Sequence, residues 1–156
     1  MLNKMLALAA MALVAAPAAL AAEGGCHAVS GTSVTTIAPC PVPALACRES
    51  VLTGDHAGTS MTVITTFDFS TGNYTGYRTT YLANGAVIEA SVVGWFAGGF
   101  GTSTATITGG TRQYAHATGS VFAASGPDRP GRYWGEVCFG MFQAPRPTAP
   151  APAPIS

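Results

Sequence analysis

Between Cys26 and Gly140 turn-forming residues recur about every ten positions, and no stretch there carries helical periodicity with caps. The breaks are Pro41 and Pro43, the run Gly54-Asp55-His56-Ala57-Gly58, Ser70-Thr71-Gly72-Asn73, Asn84-Gly85, the glycines within WFAGGFG, Gly109-Gly110, and the loop from Gly126 to Gly131. The intervals between them are rich in threonine and in β-branched and aromatic residues, which suit a pleated, half-buried surface. This spacing predicts an all-β domain of about eight short strands, mostly joined as sequential hairpins. Strands in that number and order close into a single antiparallel β-barrel, which removes exposed edges; a β-sandwich is the alternative.

Individual strands carry their own patterns. Thr59 to Phe69 alternates Met61, Val63, Thr65, Phe67 and Phe69 with Thr62, Thr66 and Asp68, the period-two signature of a half-buried strand. Tyr74 to Ala83 sets Tyr77 and Tyr81 on one face and Arg78 on the other. Asn84-Gly85 tolerates positive φ at both positions and predicts a two-residue hairpin turn, with Ala83 facing Ala86. In that register Arg78 faces position 91 and Glu89 faces position 80, so the two are diagonal neighbours on one face and within reach of a cross-strand ion pair. Thr106 to Ser120 reads as a strand, a tight turn at Gly109-Gly110 and a second strand. The last strand, Arg132 to Gly140, opposes Tyr133, Val137 and Phe139 to Arg132, Trp134, Glu136 and Cys138, and a first strand is expected at Ser33 to Ile37.

The two ends read differently from the middle. Residues 1–21 begin with Lys4, continue through an apolar run from Met5 to Ala16, and end in Ala19-Leu20-Ala21. This is the pattern of a secretory signal peptide cut after Ala21, and its apolar run is too short for a membrane span of about 20 residues. Residues 142–156 alternate alanine and proline and are expected to be a disordered tail. The β-domain is therefore placed within residues 22–141. Export predicts a secreted or periplasmic location and oxidised cysteines. Four cysteines allow three pairings, of which Cys40–Cys47 with Cys26–Cys138 is favoured: the first closes a short proline-rich loop, the second ties the ends of the domain. Charge is sparse and balanced, with a formal net charge of +0, and no basic cluster suits nucleic acid or anionic lipid. No Cys-x-x-Cys spacing occurs and the three histidines are dispersed, so no metal is expected.

The stretch ITGGTRQYAHATGS (Ile107 to Ser120), followed after a loop by GRYWGEVCF (Gly131 to Phe139), resembles the allene oxide cyclase barrel-like and dirigent-like superfamily, and within it small exported bacterial proteins. The hairpin YTGYRTTYLANGAVIEA (Tyr74 to Ala90) resembles that group's glycine-turned hairpin. Gly109, Gly110, Thr111, Ala115, Ala117, Thr118 and Gly119 keep the group's pattern, whereas Arg112, Gln113, Tyr114 and His116 depart from it. The resemblance implies a barrel whose lumen holds a hydrophobic molecule, as in cyclases that fold a reactive substrate or dirigent proteins that guide radical coupling without an oxidative centre.

Two functions follow. The first is a non-catalytic exported barrel that binds a small apolar molecule or serves interactions at the cell envelope. The second is a cofactor-free cyclase- or dirigent-type enzyme working in the lumen. For it the candidate catalytic residues are Glu89, Arg78 and Tyr81, with Tyr77, Tyr114 and Trp134 around the ligand. Glu89 would act there as a carboxyl of raised pKa, fit for general acid–base work. No nucleophile elbow, phosphate loop or dinucleotide fingerprint is present. The pattern leaves the oligomeric state open.

Overall fold

The computed structural model describes residues 25–140; the expected signal peptide and the alanine–proline tail lie outside the described residues. Eight strands occur in chain order: β1 (Gly25–Ala38), β2 (Ala46–Leu52), β3 (Gly58–Phe67), β4 (Asn73–Leu82), β5 (Val87–Ala97), β6 (Phe100–Gly110), β7 (Thr118–Gly126) and β8 (Arg129–Phe139). Each pairs antiparallel with the next, and β8 returns to pair with β1, so the sheet is a closed barrel. Closure gives every strand two hydrogen-bonded neighbours. The barrel expected from turn spacing is the observed fold, and the sandwich alternative is not. The first strand is longer than expected: pairing with β8 from Gly25↔Phe139 to Ser33↔Gly131 extends it well upstream of Ser33.

Both favoured disulfides are present, Cys26–Cys138 across the β1–β8 seam and Cys40–Cys47 around the β1–β2 loop. The second has a packing role. Cys47 pairs with Val63 on β3, and both point away from the lumen, which Arg48 and Thr62 line instead, yet they are 1% and 2% exposed, so the disulfide sits in a packed part of the outer surface. Met61 and Val63 of β3 are thus turned outward, while Ser60 and Thr62 line the interior. A bulge between Ile64 and Thr66 then reverses the alternation and brings Phe67 back toward the core.

Two turns differ from expectation, each for a local reason. At Asn84-Gly85 the Gly85 N–H donates to Leu82 O and the Leu82 N–H to Ala86 O, so the loop has three residues, Ala83 to Gly85, with Gly85 at φ +77°. A type I turn closed by a left-handed glycine is the next most common hairpin after the two-residue form. The register therefore moves by one residue, to Arg78↔Ala90 and Thr79↔Glu89, and a one-residue slip exchanges faces. At Gly109-Gly110 there is no tight turn. β6 runs through both glycines, and a connection with a short 3-10 helix, Arg112–Tyr114, leads to β7. Arg112, at φ 56°, donates from Nη1 to Asn84 O, and Val87 N–H donates to Thr111 Oγ1, which latches this connection onto the β4–β5 turn.

The same connection closes one end of the barrel. Tyr114 and Ala117 pack with Leu82, Ala86, Ile88, Ile107 and Val137 into the larger apolar cluster. A second cluster, of Ile64, Tyr74, Ala90, Val92 and Ala105 with Phe67 and Phe96 against it, lies toward the other end. Burying one such valine, Val92 or Val137 at 1% exposure, contributes about 1.5–3 kcal/mol.

Candidate functional site

Between the two clusters the lumen holds a cavity of about 90 Å³. Its wall has two characters. From β1 to β4 it is hydroxyl-lined, by Ser33, Thr35, Ser50, Ser60, Thr62 and Thr80. From β5 to β8 it is largely apolar, with Ile88, Ala90, Ala105, Ile107, Val121 and Ala123, alongside Thr102, Ser103, Ser125 and Tyr133. The alanines on β5, β6 and β7 leave the room that larger side chains would fill. Arg48 and Ser125 lie toward the end where the β1–β2 and β7–β8 loops meet; His56 and Tyr133 lie toward the end closed by Tyr114.

Arg78 projects into this cavity from β4. Its Nε–H donates to Thr62 Oγ1 on β3 at 3.0 Å, and Nη2 donates to Ser103 Oγ on β6 at 3.3 Å. To reach β6 the side chain passes over β5, where its register partner is the small Ala90. Burial lowers its pKa, the nearby Tyr74 opposes that shift, and the charge of Arg48 adds to it. A guanidinium nevertheless stays protonated in proteins. Arg48 itself stacks over the Phe96 ring at 4.9 Å.

The closed end is held by hydrogen bonds. Tyr133 Oη donates to Thr53 O at 2.7 Å and accepts the His56 N–H at 3.0 Å. The His56 ring stacks on Tyr133 and meets Tyr114 edge-on, with centroids 6.2 and 6.3 Å apart. Burial lowers the His56 pKa from its ordinary 6.5, with Asp55 opposing. Burial likewise raises the pKa of Tyr133, where the bond from His56 opposes and Asp55 adds.

Of the residues singled out in the sequence, Arg78 alone lines the cavity. Glu89 is exposed on the outer face of β5, and the expected Arg78–Glu89 pair does not form, because the three-residue turn puts them on opposite faces. Tyr77 and Tyr81 point outward at 42% and 55% exposure. Trp134 is also outside, at 47%, packed against Phe122 with centroids 4.7 Å apart. Tyr114 is buried, but in the plug at the barrel end rather than along the cavity wall. The cavity residues that sequence reasoning passed over are Arg48, His56, Tyr133 and the serines and threonines. For the hydroxyls the signal was the i, i+2 spacing of Ser33 and Thr35 on β1 and of Ser60 and Thr62 on β3, which reads equally as a solvated face until the barrel's inside is known. Among the described residues the one cluster with metal-ligand spacing, Cys26, Glu136 and Cys138, consists of the seam disulfide and an exposed carboxylate. Compared with protein-family models, with curated proteins and with solved structures, the chain finds no match.

Proposed function

We propose that this protein is an exported barrel that binds a small molecule with an apolar side in its lumen, without catalysing its conversion. The observation that carries this reading is the cavity itself, with a hydroxyl-rich side and a largely apolar side. Its volume of about 90 Å³ sets the scale of the ligand. A water takes about 10–15 Å³ by the same measure, and pockets for drug-sized molecules run to about 300–1,000 Å³. The occupant is therefore a molecule of a few heavy atoms. The cyclase-type alternative relied on Glu89 as an acid or base in the lumen, and among the described residues no aspartate or glutamate lines the cavity. Likeness of Ile107 to Ser120 to the allene oxide cyclase barrel-like group supports a lumen ligand, by analogy of fold alone.

Export rests on the residue 1–21 pattern, and two disulfides fit an oxidising compartment. Edman sequencing of the exported protein is expected to begin at Ala22; an intact start at Met1 overturns export by this signal. Lumen binding is tested by titrating xenon and 1-butanol into the folded protein and following methyl resonances. Saturable shifts are expected at Ile107, Ala105 and Ala123, and Ala123→Leu, which fills the cavity, is expected to abolish them. Absence of saturation with both probes, or an unchanged response in the filled variant, refutes the reading.

A further inference from the structure

We infer that the lumen is a site for a small monocarboxylate, its head held by Arg78 with Arg48 beside it and its short hydrocarbon chain against the Ile88–Ala105–Ile107–Val121 wall. The inference deepens the small-ligand reading above and rests on it. Four observations on the charges lead to it.

First, charge is sorted by position. All described carboxylates, Glu49, Asp55, Asp68, Glu89, Asp128 and Glu136, are exposed, as are Arg112, Arg129 and Arg132. The charged side chains drawn into the barrel are Arg48 and Arg78, and both line the cavity. Second, among the described residues no carboxylate lines the cavity beside Arg78, and the charged group that acts on it there is Arg48, of its own sign. A buried cation without a counter-charge is costly, and proteins ordinarily pair it. Third, Arg78 is only part-satisfied by protein. A guanidinium carries five N–H donors in a planar fork. Thr62 and Ser103 take one bond each from Nε and Nη2, and no protein acceptor among the described residues meets Nη1. Among the described residues no buried side-chain nitrogen lacks a partner, so Nη1 is accessible, on a side chain that lines the cavity. Fourth, the fork is held in place by those two hydroxyls from different strands, which fixes its plane before any ligand arrives. A planar, preorganised fork with free donors matches a carboxylate better than a spherical or tetrahedral anion.

The rest of the cavity selects what is attached to the carboxylate. The hydroxyls of Ser50, Ser60 and Thr80 lie on the polar wall, where they donate to the second lone pairs of the head. The opposite wall is mostly aliphatic, and the hydroxyl of Ser103 on that side is already engaged by Arg78. At about 90 Å³ the chain is short, on the scale of propionate or butyrate rather than a long-chain fatty acid.

The test is isothermal titration calorimetry on the disulfide-intact protein with sodium butyrate, its neutral isostere butyramide, 1-butanol and sodium nitrate. Butyrate is expected to bind about ten- to a hundredfold more tightly than butyramide, the range for charge-assisted hydrogen bonds. Arg78→Gln is expected to remove that preference while 1-butanol binding persists, and Arg78→Lys to restore part of it. Arg48→Gln, near the cavity mouth, is expected to weaken butyrate severalfold and serves if Arg78 variants fail to fold. Equal binding of butyrate and butyramide overturns the anion site and leaves the small-ligand reading standing. Nitrate binding as tightly as butyrate overturns the carboxylate assignment. Failure of all probes, 1-butanol included, overturns both.

Discussion

The two disulfides close loops of very different length, and this sets a measurable difference in what each contributes. Cys26 and Cys138 are 112 residues apart, Cys40 and Cys47 only 7. In the chain-entropy description, cross-linking a loop that long removes about 4.8 kcal/mol of unfolded-state freedom at 25 °C, and the short loop about 2.4 kcal/mol. Burial offsets part of the gap. Cys47 is 1% exposed, so its replacement by alanine also removes a buried sulfur, at a further cost of about 1 kcal/mol. The net expectation is that Cys26→Ala/Cys138→Ala destabilises the barrel by about 1.5 kcal/mol more than Cys40→Ala/Cys47→Ala. For a domain of this size that is about 6 °C in melting temperature. Urea unfolding of the three proteins side by side, followed by tyrosine and tryptophan fluorescence, measures it. Equal losses, or a larger loss from the short loop, would refute the argument, since loop length would then not be what the seam bond acts through.

Other outcomes follow from the closed end of the barrel. Tyr133→Phe leaves the buried His56 N–H and Thr53 O without their partner and is expected to cost about 1–3 kcal/mol in urea unfolding; a loss under about 0.5 kcal/mol would show that water replaces the hydroxyl. The lowered His56 pKa means that the unfolded chain binds the proton more readily than the folded one. Stability from this group is therefore complete above the unfolded value of 6.5 and declines as pH falls below it toward the folded pKa. Stability measured from pH 7.5 to 5 should slope downward in the wild type and lose that slope in His56→Phe. Gly135→Ala would drive a methyl into Ser120 O on the neighbouring strand β7, and is expected to yield a protein that fails to close or melts far below the wild type. A wild-type melting curve would refute it.

How much of this was readable in the chain differs from strand to strand. The faces of β8 were legible because Tyr133, Val137 and Phe139 alternate strictly with charged and polar residues, and the barrel interior takes the apolar set. On β3 the same reasoning misses the outcome. There Met61 and Val63 point outward while Ser60 and Thr62 face the lumen, an orientation set by closure of the barrel that no local pattern announces. The hairpin at Asn84-Gly85 was recognisable as a turn, but its loop length was not, and one residue decided whether Arg78 and Glu89 shared a face. Arg78 was found because an arginine in a strand of small and aromatic residues is conspicuous. Arg48 and His56 were not, because they enter the cavity from strand and loop positions whose neighbours look solvated. The Gly109-Gly110 stretch looked like a hairpin tip and is instead the entrance to the plug that carries Tyr114.

The pairing of β1 with β8 has a consequence for how the molecule comes into being. Seven of the eight ladders join strands that are neighbours in sequence and can zip up in the order in which the chain emerges. The eighth cannot begin until β8 has arrived, so a nascent chain must hold two open edges until then. During that interval the protein is most exposed to pairing with another copy of itself. Oxidation at Cys26 and Cys138 is then a chemical timestamp: a thiol still reactive at either position marks a molecule whose circle has not yet closed.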